Sequence, residues 1–232
     1  MQKQKAKITI RTIIQMLVYI VLIPFLPLLV SRRWGWWEAW VYAFAYVANF
    51  IVSRVLVARI HPDLIEERGK SMEHKDNQPW DNVLAPLVGL GGNLIQLTAG
   101  LEALYGELYP ISLAIKLITL VLFLAGYAWG TYALLENRFF SGTVRLQSER
   151  GHHVISSGPY HIMRHPGYVG ALVFYFATPI FLGSLWAFVP VLFFTVVMVI
   201  RTRLEDRFLQ ESLPGYAEYA QQVRWRLIPG FW

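Results

Sequence analysis

The chain of 232 residues has no cysteine. Disulfides, thiol nucleophiles and thiolate metal sites are excluded by that alone. Charge is scarce too: Asp, Glu, Lys and Arg make up 16% of the residues, against about 25% in an ordinary soluble domain. So little polar surface cannot clothe a water-exposed fold, and the same composition excludes disorder and collagen-like repeats. No internal repeat or low-complexity tract is present. Apolar residues are abundant, at 55% of the chain, with 9 Trp, 12 Tyr and 14 Phe. That aromatic share suits a membrane–water boundary. The net charge of +6 would point to nucleic acid in a soluble protein. Here the basic residues fall between long apolar runs, so their expected partners are membrane lipids and not nucleic acid.

Apolar runs of about 20 residues can cross a bilayer as helices. Such runs cover residues 13–30, 36–57, 83–101 and 111–135. A fifth, residues 168–200, holds 33 residues without a charge. As one helix it would be about 50 Å long, too much for a hydrocarbon core of about 30 Å. It is read as a helical hairpin bent near residues 179–184. The expected fold is all-α and integral to the membrane, with about five transmembrane elements, the last a hairpin. The first run is longer than a signal-peptide core and leads into Ser31-Arg32-Arg33-Trp34, so it reads as a span. Gly126 and Gly130 form a GxxxG pair, and Gly89, Gly91 and Gly92 cluster in the third span. Both read as helix-packing positions.

Orientation follows from the distribution of Lys and Arg. Lys3, Lys5, Lys7 and Arg11 precede the first span; Arg59, Arg68, Lys70 and Lys75 lie in the 59–82 loop. Arg138, Arg145, Arg150 and Arg164 lie in the next loop on that side, and Arg201, Arg203, Arg207, Arg224 and Arg226 follow the hairpin. The opposite side holds Arg32, Arg33 and, near a span end, Lys116. Both termini, both long loops and the site are therefore expected in the cytoplasm.

Two polar stretches flank the hairpin. The first is Gly158-Pro159-Tyr160-His161-Ile162-Met163-Arg164-His165-Pro166-Gly167-Tyr168-Val169-Gly170. Gly-Pro makes a turn, Pro166 biases His165 away from helix, and Pro166-Gly167 then opens the hairpin's first helix. Arg164 and His165 should thus lie on bent backbone beside a helix N-terminus, a geometry suited to an anion or carboxylate. In the second stretch, Arg201 and Glu205 are spaced i,i+4 and share a helix face. A bland alternative is a surface ion pair worth a few tenths of a kcal/mol. A hairpin, however, returns this face to Arg164 and His165, so two arginines, a carboxylate and a histidine converge.

The pattern Gly-Pro-Tyr-x-x-x-Arg-His-Pro-x-Tyr-x-Gly, an apolar hairpin, Arg-x-x-x-Glu, then Leu209, Tyr216, Tyr219 and Ile228-Pro229 resembles the isoprenylcysteine carboxyl methyltransferase family. The resemblance covers residues 156–232. It implies an integral-membrane enzyme that binds S-adenosylmethionine in a cytosolic pocket of its C-terminal part and takes a lipidic or prenylated acid from the bilayer. It further implies one membrane domain, residues 1–232, in which 1–155 supply spans and loops and 156–232 the catalytic, cofactor-binding part. By resemblance, Tyr160, His165, Pro166, Tyr168, Gly170 and Glu205 contact the cofactor, and Arg164 and Arg201 hold the acceptor carboxylate. Asp206 stands where the family usually has a second glutamate.

The chemistry agrees with that implication. A carboxylate is ionised near neutral pH and needs no base to attack a methyl group; the enzyme's task is positioning. Arginine forks suit a carboxylate, and tyrosine faces suit a sulfonium cation. No metal is called for, and His152, His153 and His161 read as loop histidines. Three alternatives remain. Methylation of a phospholipid amine needs a base, for which His165 or Glu205 would serve. NADPH-dependent reduction of a sterol-like lipid shares the Arg-His-Pro-x-Tyr pattern in longer chains. A transporter or scaffold predicts polar groups near mid-bilayer, and the hairpin has no charge.

Overall fold

The computed structural model describes residues 17–232, and these are helical with irregular connections and no strand. The basic residues Lys3, Lys5, Lys7 and Arg11 and the start of the first expected span lie outside the described residues. The described part of that span departs from the expected single helix. A π-helical turn at Val18–Leu22 gives way to a turn, and α1 (Leu26–Ser31) follows. Pro24 and Pro27 explain the interruption, since neither ring carries an N–H to continue a helical ladder.

Three helices are long and apolar enough to cross a membrane: α2 (Trp37–Ile60), α4 (Asp81–Tyr105) and α5 (Leu113–Glu136). α2 and α4 extend the expected runs by a few residues, and α5 matches its run to within two residues at each end. Between α2 and α4, the polar stretch folds into a short α3 (Pro62–Gly69), opened by proline at its first turn. The hairpin is present as α6 (Pro166–Leu182) and α7 (Phe188–Ser212), broken at residues 183–187. Gly183 ends α6 at φ +71°, a left-handed conformation that favours glycine, and Ser184 N–H donates to the Pro179 carbonyl (2.9 Å). Glu102 of α4 holds the turn by accepting from Trp186 N–H (3.0 Å) and from the Ser184 hydroxyl. α7 is apolar to Ile200 and charged from Arg201 onward. A last helix, α8 (Tyr216–Gln222), follows Gly215.

The hairpin arms pack less on each other than on their neighbours, α6 on α5 and α7 on α4. Glycine makes the first contact possible. A Cβ on Gly126 would lie 2.7 Å from Phe174 N and 2.8 Å from Gly170 O, and one on Gly170 would lie 2.6 Å from Gly126 O. The two backbones touch, as the GxxxG spacing predicts. Beside this seam Tyr42, Tyr46, Phe123, Phe174 and Phe181 form an aromatic core. The Gln96 amide hydrogen-bonds the buried Tyr42 hydroxyl (2.6 Å), which satisfies a polar pair inside that core.

The two ends of the bundle differ. One carries the Glu38–Lys116 ion pair and the hairpin turn. At the other, α3, the 137–165 loop, the first turn of α6, the charged part of α7 and α8 come together around a cleft.

Candidate active site

The cleft is open at its mouth, and its cavity volume is about 80 Å³, below the range of about 300–1,000 Å³ usual for small-molecule sites. Its floor is the base of the hairpin. Pro166 opens α6, so His165 immediately precedes the helix with φ −125°, outside the helical region, as proline demands of its predecessor. Its ring stacks on Tyr168, with centroids 5.5 Å apart and planes at 9°. The Tyr168 hydroxyl donates to Glu205 Oε2 at 2.5 Å, and the Arg201 guanidinium lies over the Tyr168 ring at 5.5 Å. His165 Nδ1 is 3.8 Å from Glu205. Its buried Nε2 has no hydrogen-bond partner, the nearest carboxylate oxygen being on Asp206 at 3.6 Å.

Six of the eight expected site residues line this cleft: Tyr160, Arg164, His165, Tyr168, Arg201 and Glu205. Pro166 and Gly170 do not. Gly170 faces α5 instead, where its missing side chain admits Gly126 and Gly130. It serves helix packing, a use that the motif spacing could not separate from ligand contact.

The two arginines are also more occupied than expected. Arg164 donates through Nε to Asp206 Oδ1 (2.6 Å) and through Nη2 to Asp206 Oδ2 (2.9 Å). Its Nη1 donates to the carbonyls of Ala220, Val223 and Arg224, at 3.2, 2.7 and 3.1 Å. Every nitrogen of that guanidinium is engaged, so Arg164 is a clamp and not an open carboxylate receptor. Arg201 donates to Asp81 through Nε (2.7 Å) and Nη2 (2.9 Å), and to the Gly142 carbonyl (3.0 Å). Its Nη1 makes no hydrogen bond among the described residues.

Two aspartates thus carry roles that sequence reasoning missed. Asp81, fully buried at the start of α4, also accepts Val144 N–H at 2.6 Å and so fixes the 137–165 loop. An acidic residue in a helix's first turn has an ordinary explanation in the helix dipole, so no signal in the sequence marks it. Asp206 is a hub. Besides Arg164 it accepts from Arg226 Nε (2.8 Å), Gln210 Nε2 (2.9 Å) and the Tyr216 hydroxyl (3.3 Å). Burial alone would raise its pKa, but the His165 imidazole and the Arg164 and Arg226 guanidiniums outweigh that and hold the carboxyl well below the usual range.

The walls are aromatic. Tyr219 donates to the Tyr160 carbonyl (2.6 Å), and Tyr160 to the Ala133 carbonyl (3.3 Å), so burial of both phenols raises their pKa and keeps them neutral. His152 and His153 flank the Phe139 ring at 4.6 and 5.0 Å. Burial, then the neighbouring His153 and Arg150, push the His152 pKa down to about 4, so this loop histidine is neutral at physiological pH. Arg145, nearly buried, ties the outer wall to α3 and its following loop through Glu67 (2.9 Å) and Asp76 (3.0 Å), and to Glu149 (2.6 Å). Among the described residues no three His, Asp or Glu side chains are grouped to hold a metal ion.

A family model described as phospholipid methyltransferase matches residues 111–214, just under half the chain. The matched region supplies most of the cleft's lining, with Tyr216 and Tyr219 beyond it. It runs from the start of α5 to the end of α7. The chain is 38% identical over 92 residues to a probable protein-S-isoprenylcysteine O-methyltransferase of Oryza sativa subsp. indica, covering 37% of this chain and 46% of that protein. It is 30% identical over 100 residues to protein-S-isoprenylcysteine O-methyltransferase B of Arabidopsis thaliana, covering 40% and 48%. It is also 33% identical over 92 residues to a Delta(14)-sterol reductase of Mus musculus, covering 38% of this chain and 22% of that protein. The chain therefore spans about half the length of these plant relatives and about a fifth of the mouse one.

Proposed function

We propose that the chain is an integral-membrane methyltransferase that uses S-adenosylmethionine to methylate the carboxylate of a lipidic, isoprenylcysteine-like acid, with its cleft facing the cytoplasm. One observation carries the reading. The segment similar to lipid methyltransferases folds so that both hairpin flanks meet at Tyr168–Glu205, inside one cleft lined by tyrosines and charged side chains.

The cleft's chemistry suits the cofactor. A sulfonium and an ammonium are cations, and the lining includes the phenols Tyr160, Tyr216 and Tyr219 together with the Glu205 carboxylate. Among the described residues only Oε2 of Glu205 is hydrogen-bonded, which leaves Oε1 to accept from hydroxyl or ammonium groups. The buried Nε2 of His165, 3.6 Å from Asp206 and without a hydrogen bond among the described residues, supplies a further polar contact. When bound, the cofactor supplies an electrophilic methyl group. The protein's part is to hold a carboxylate oxygen in line with it and to exclude water. Arg201 is placed for the acceptor, because its Nη1 remains open while Asp81 fixes its fork. Arg164 acts through Asp206 as a positioning residue.

A second reading has its own support. The matching family model is one of phospholipid methyltransferases, and an amine acceptor must lose a proton. His165 Nε2, which makes no hydrogen bond among the described residues and lies 3.6 Å from Asp206, is the base that reading would use.

The test is binding followed by product chemistry. Detergent-purified protein should retain radiolabelled S-adenosylmethionine and not NADPH. Preferential NADPH binding would replace methyl transfer with lipid reduction. With a farnesylated cysteine as acceptor, the transferred label should be released as methanol by mild base, because an ester hydrolyses. Base-stable label on phosphatidylethanolamine, and none on the acid, would favour the amine reading.

A further inference from the structure

Beyond α8 the chain packs against the base of the hairpin as an irregular segment, residues 223–232, whose two sides are unlike. On the inner side the Trp225 and Arg226 carbonyls accept the backbone N–H groups of Arg164 (2.9 Å) and His165 (3.0 Å). Leu227, 2% exposed, sits in one cluster with Tyr168, Phe194 and Met198, and Trp232 packs against that cluster. Phe194 and Met198 belong to the charge-free part of α7, before Arg201. Leu227 therefore lies at the level of the apolar helices and not above them. On the outer side three large apolar side chains face away from the protein: Trp225 at 36%, Ile228 at 53% and Phe231 at 82% exposure.

The backbone presents these residues as a closed turn. Phe231 N–H donates to the Ile228 carbonyl (3.0 Å), and Leu227 and Ile228 N–H both donate to the Trp232 carbonyl (3.0 and 3.1 Å). Gly230, at φ +84°, makes the reversal. The flank is cationic: Arg224 is exposed, and Arg226 lies over the Trp232 ring at 5.2 Å. An apolar tip with tryptophan and arginine at its collar matches the layering of a bilayer surface, acyl chains inside and anionic headgroups outside.

We propose that residues 225–232 form a lipid-dipping turn, with Ile228 and Phe231 buried among acyl chains at the rim of the leaflet on the cleft side. The occupant of the exposed face is the lipid of the surrounding membrane. The arrangement gives the bilayer a mechanical hold on the site, because the same turn accepts the backbone donors of Arg164 and His165. It requires only that the hairpin be membrane-embedded and does not depend on which reaction the cleft performs.

The absence of cysteine makes the test direct. Phe231→Cys, Ile228→Cys, Val196→Cys on the outer face of α7 and Glu218→Cys on α8 each supply the chain's single thiol; all four positions are exposed, so each variant should fold. Each is labelled with a small fluorophore and reconstituted in nanodiscs containing lipids brominated along the acyl chain. Labels at 231 and 228 should be quenched as strongly as the label at 196, and at least two-fold more than the label at 218. Aqueous iodide should show the reverse order. If iodide quenched the 231 label as freely as the 218 label, the turn would be in water and the proposal lost. Thiol–thiol cross-linking between Phe231→Cys chains in lipid excess would overturn it equally, by showing a second copy on that face.

Discussion

Arg164 grips Asp206 through two parallel bonds, 2.6 and 2.9 Å long, across 42 residues of chain. Arg201 grips Asp81 in the same way, at 2.7 and 2.9 Å across 120 residues. Each clasp joins a different pair of segments. The first fastens the loop before α6 to α7, and through Arg164 Nη1 to the segment after α8. The second fastens α7 to the start of α4 and to the 137–165 loop. The cleft lies between them.

The Arg164–Asp206 clasp should be a large stability element. Removing one partner of a buried ion pair costs about 3–5 kcal/mol, because the other charge is left uncompensated. Asp206→Asn strands both Arg164 and Arg226 and should lower the melting temperature in detergent by well over 5 °C. A change of a degree or less would mean that the hub is not holding the segments together.

That contribution should also depend on pH. The Asp206 carboxyl titrates below the usual aspartate value of about 3.9 in the folded protein, so the unfolded chain takes up this proton first. The stabilisation is complete at neutral pH and above, and it is lost as pH falls below about 4 towards the folded value. Thermal melts from pH 7 down to pH 3 should therefore show wild type and Asp206→Asn converging. Curves that stayed parallel would argue against an ionised Asp206.

Glu205→Gln and Arg201→Lys should separate the two halves of the site. The first should weaken cofactor binding by about 5–10-fold, the loss expected when a hydrogen bond to a charged group is exchanged for a neutral one. Arg201→Lys keeps the charge but loses the fork. It should leave cofactor affinity within a few-fold and lower turnover instead. Cofactor affinity and methyl-transfer rate measured in one detergent check both. The opposite pattern would exchange the roles.

Gly170→Ala should loosen the α5–α6 seam, since the new methyl would meet Gly126 O at 2.6 Å and Gly130 N at 2.7 Å. Overpacking of this kind costs about 1–3 kcal/mol. Gly89→Ala, with nothing within 4 Å of the added carbon, should be neutral or slightly stabilising. Melting both variants side by side tests the contact, and equal behaviour would refute it.

Orientation can be tested independently. A reporter fused after Trp232 should behave as cytoplasmic, because the loops on the cleft side hold most of the basic residues. A periplasmic or lumenal signal would reverse the topology and move the cleft across the membrane.

The sequence by itself determined what depends on local pattern. Helices α2, α4 and α5 follow from apolar runs of bilayer length, and the hairpin from a charge-free stretch too long for one span that breaks at Gly183. The approach of Glu205 to His165 was legible because a hairpin brings its two ends together whatever else the fold does. The tertiary structure decided what depends on partners distant in the chain. Asp81 looks like any acidic helix start until Arg201 arrives from 120 residues away. Gly170 looks like a ligand position until Gly126 and Gly130 press against it. Arg164 looks open to a substrate until Asp206 is placed. Helix periodicity and span length are encoded residue by residue, because backbone hydrogen bonds and burial act locally. The choice between a free charge and a clasped one belongs to the packing of whole helices, which no single segment contains.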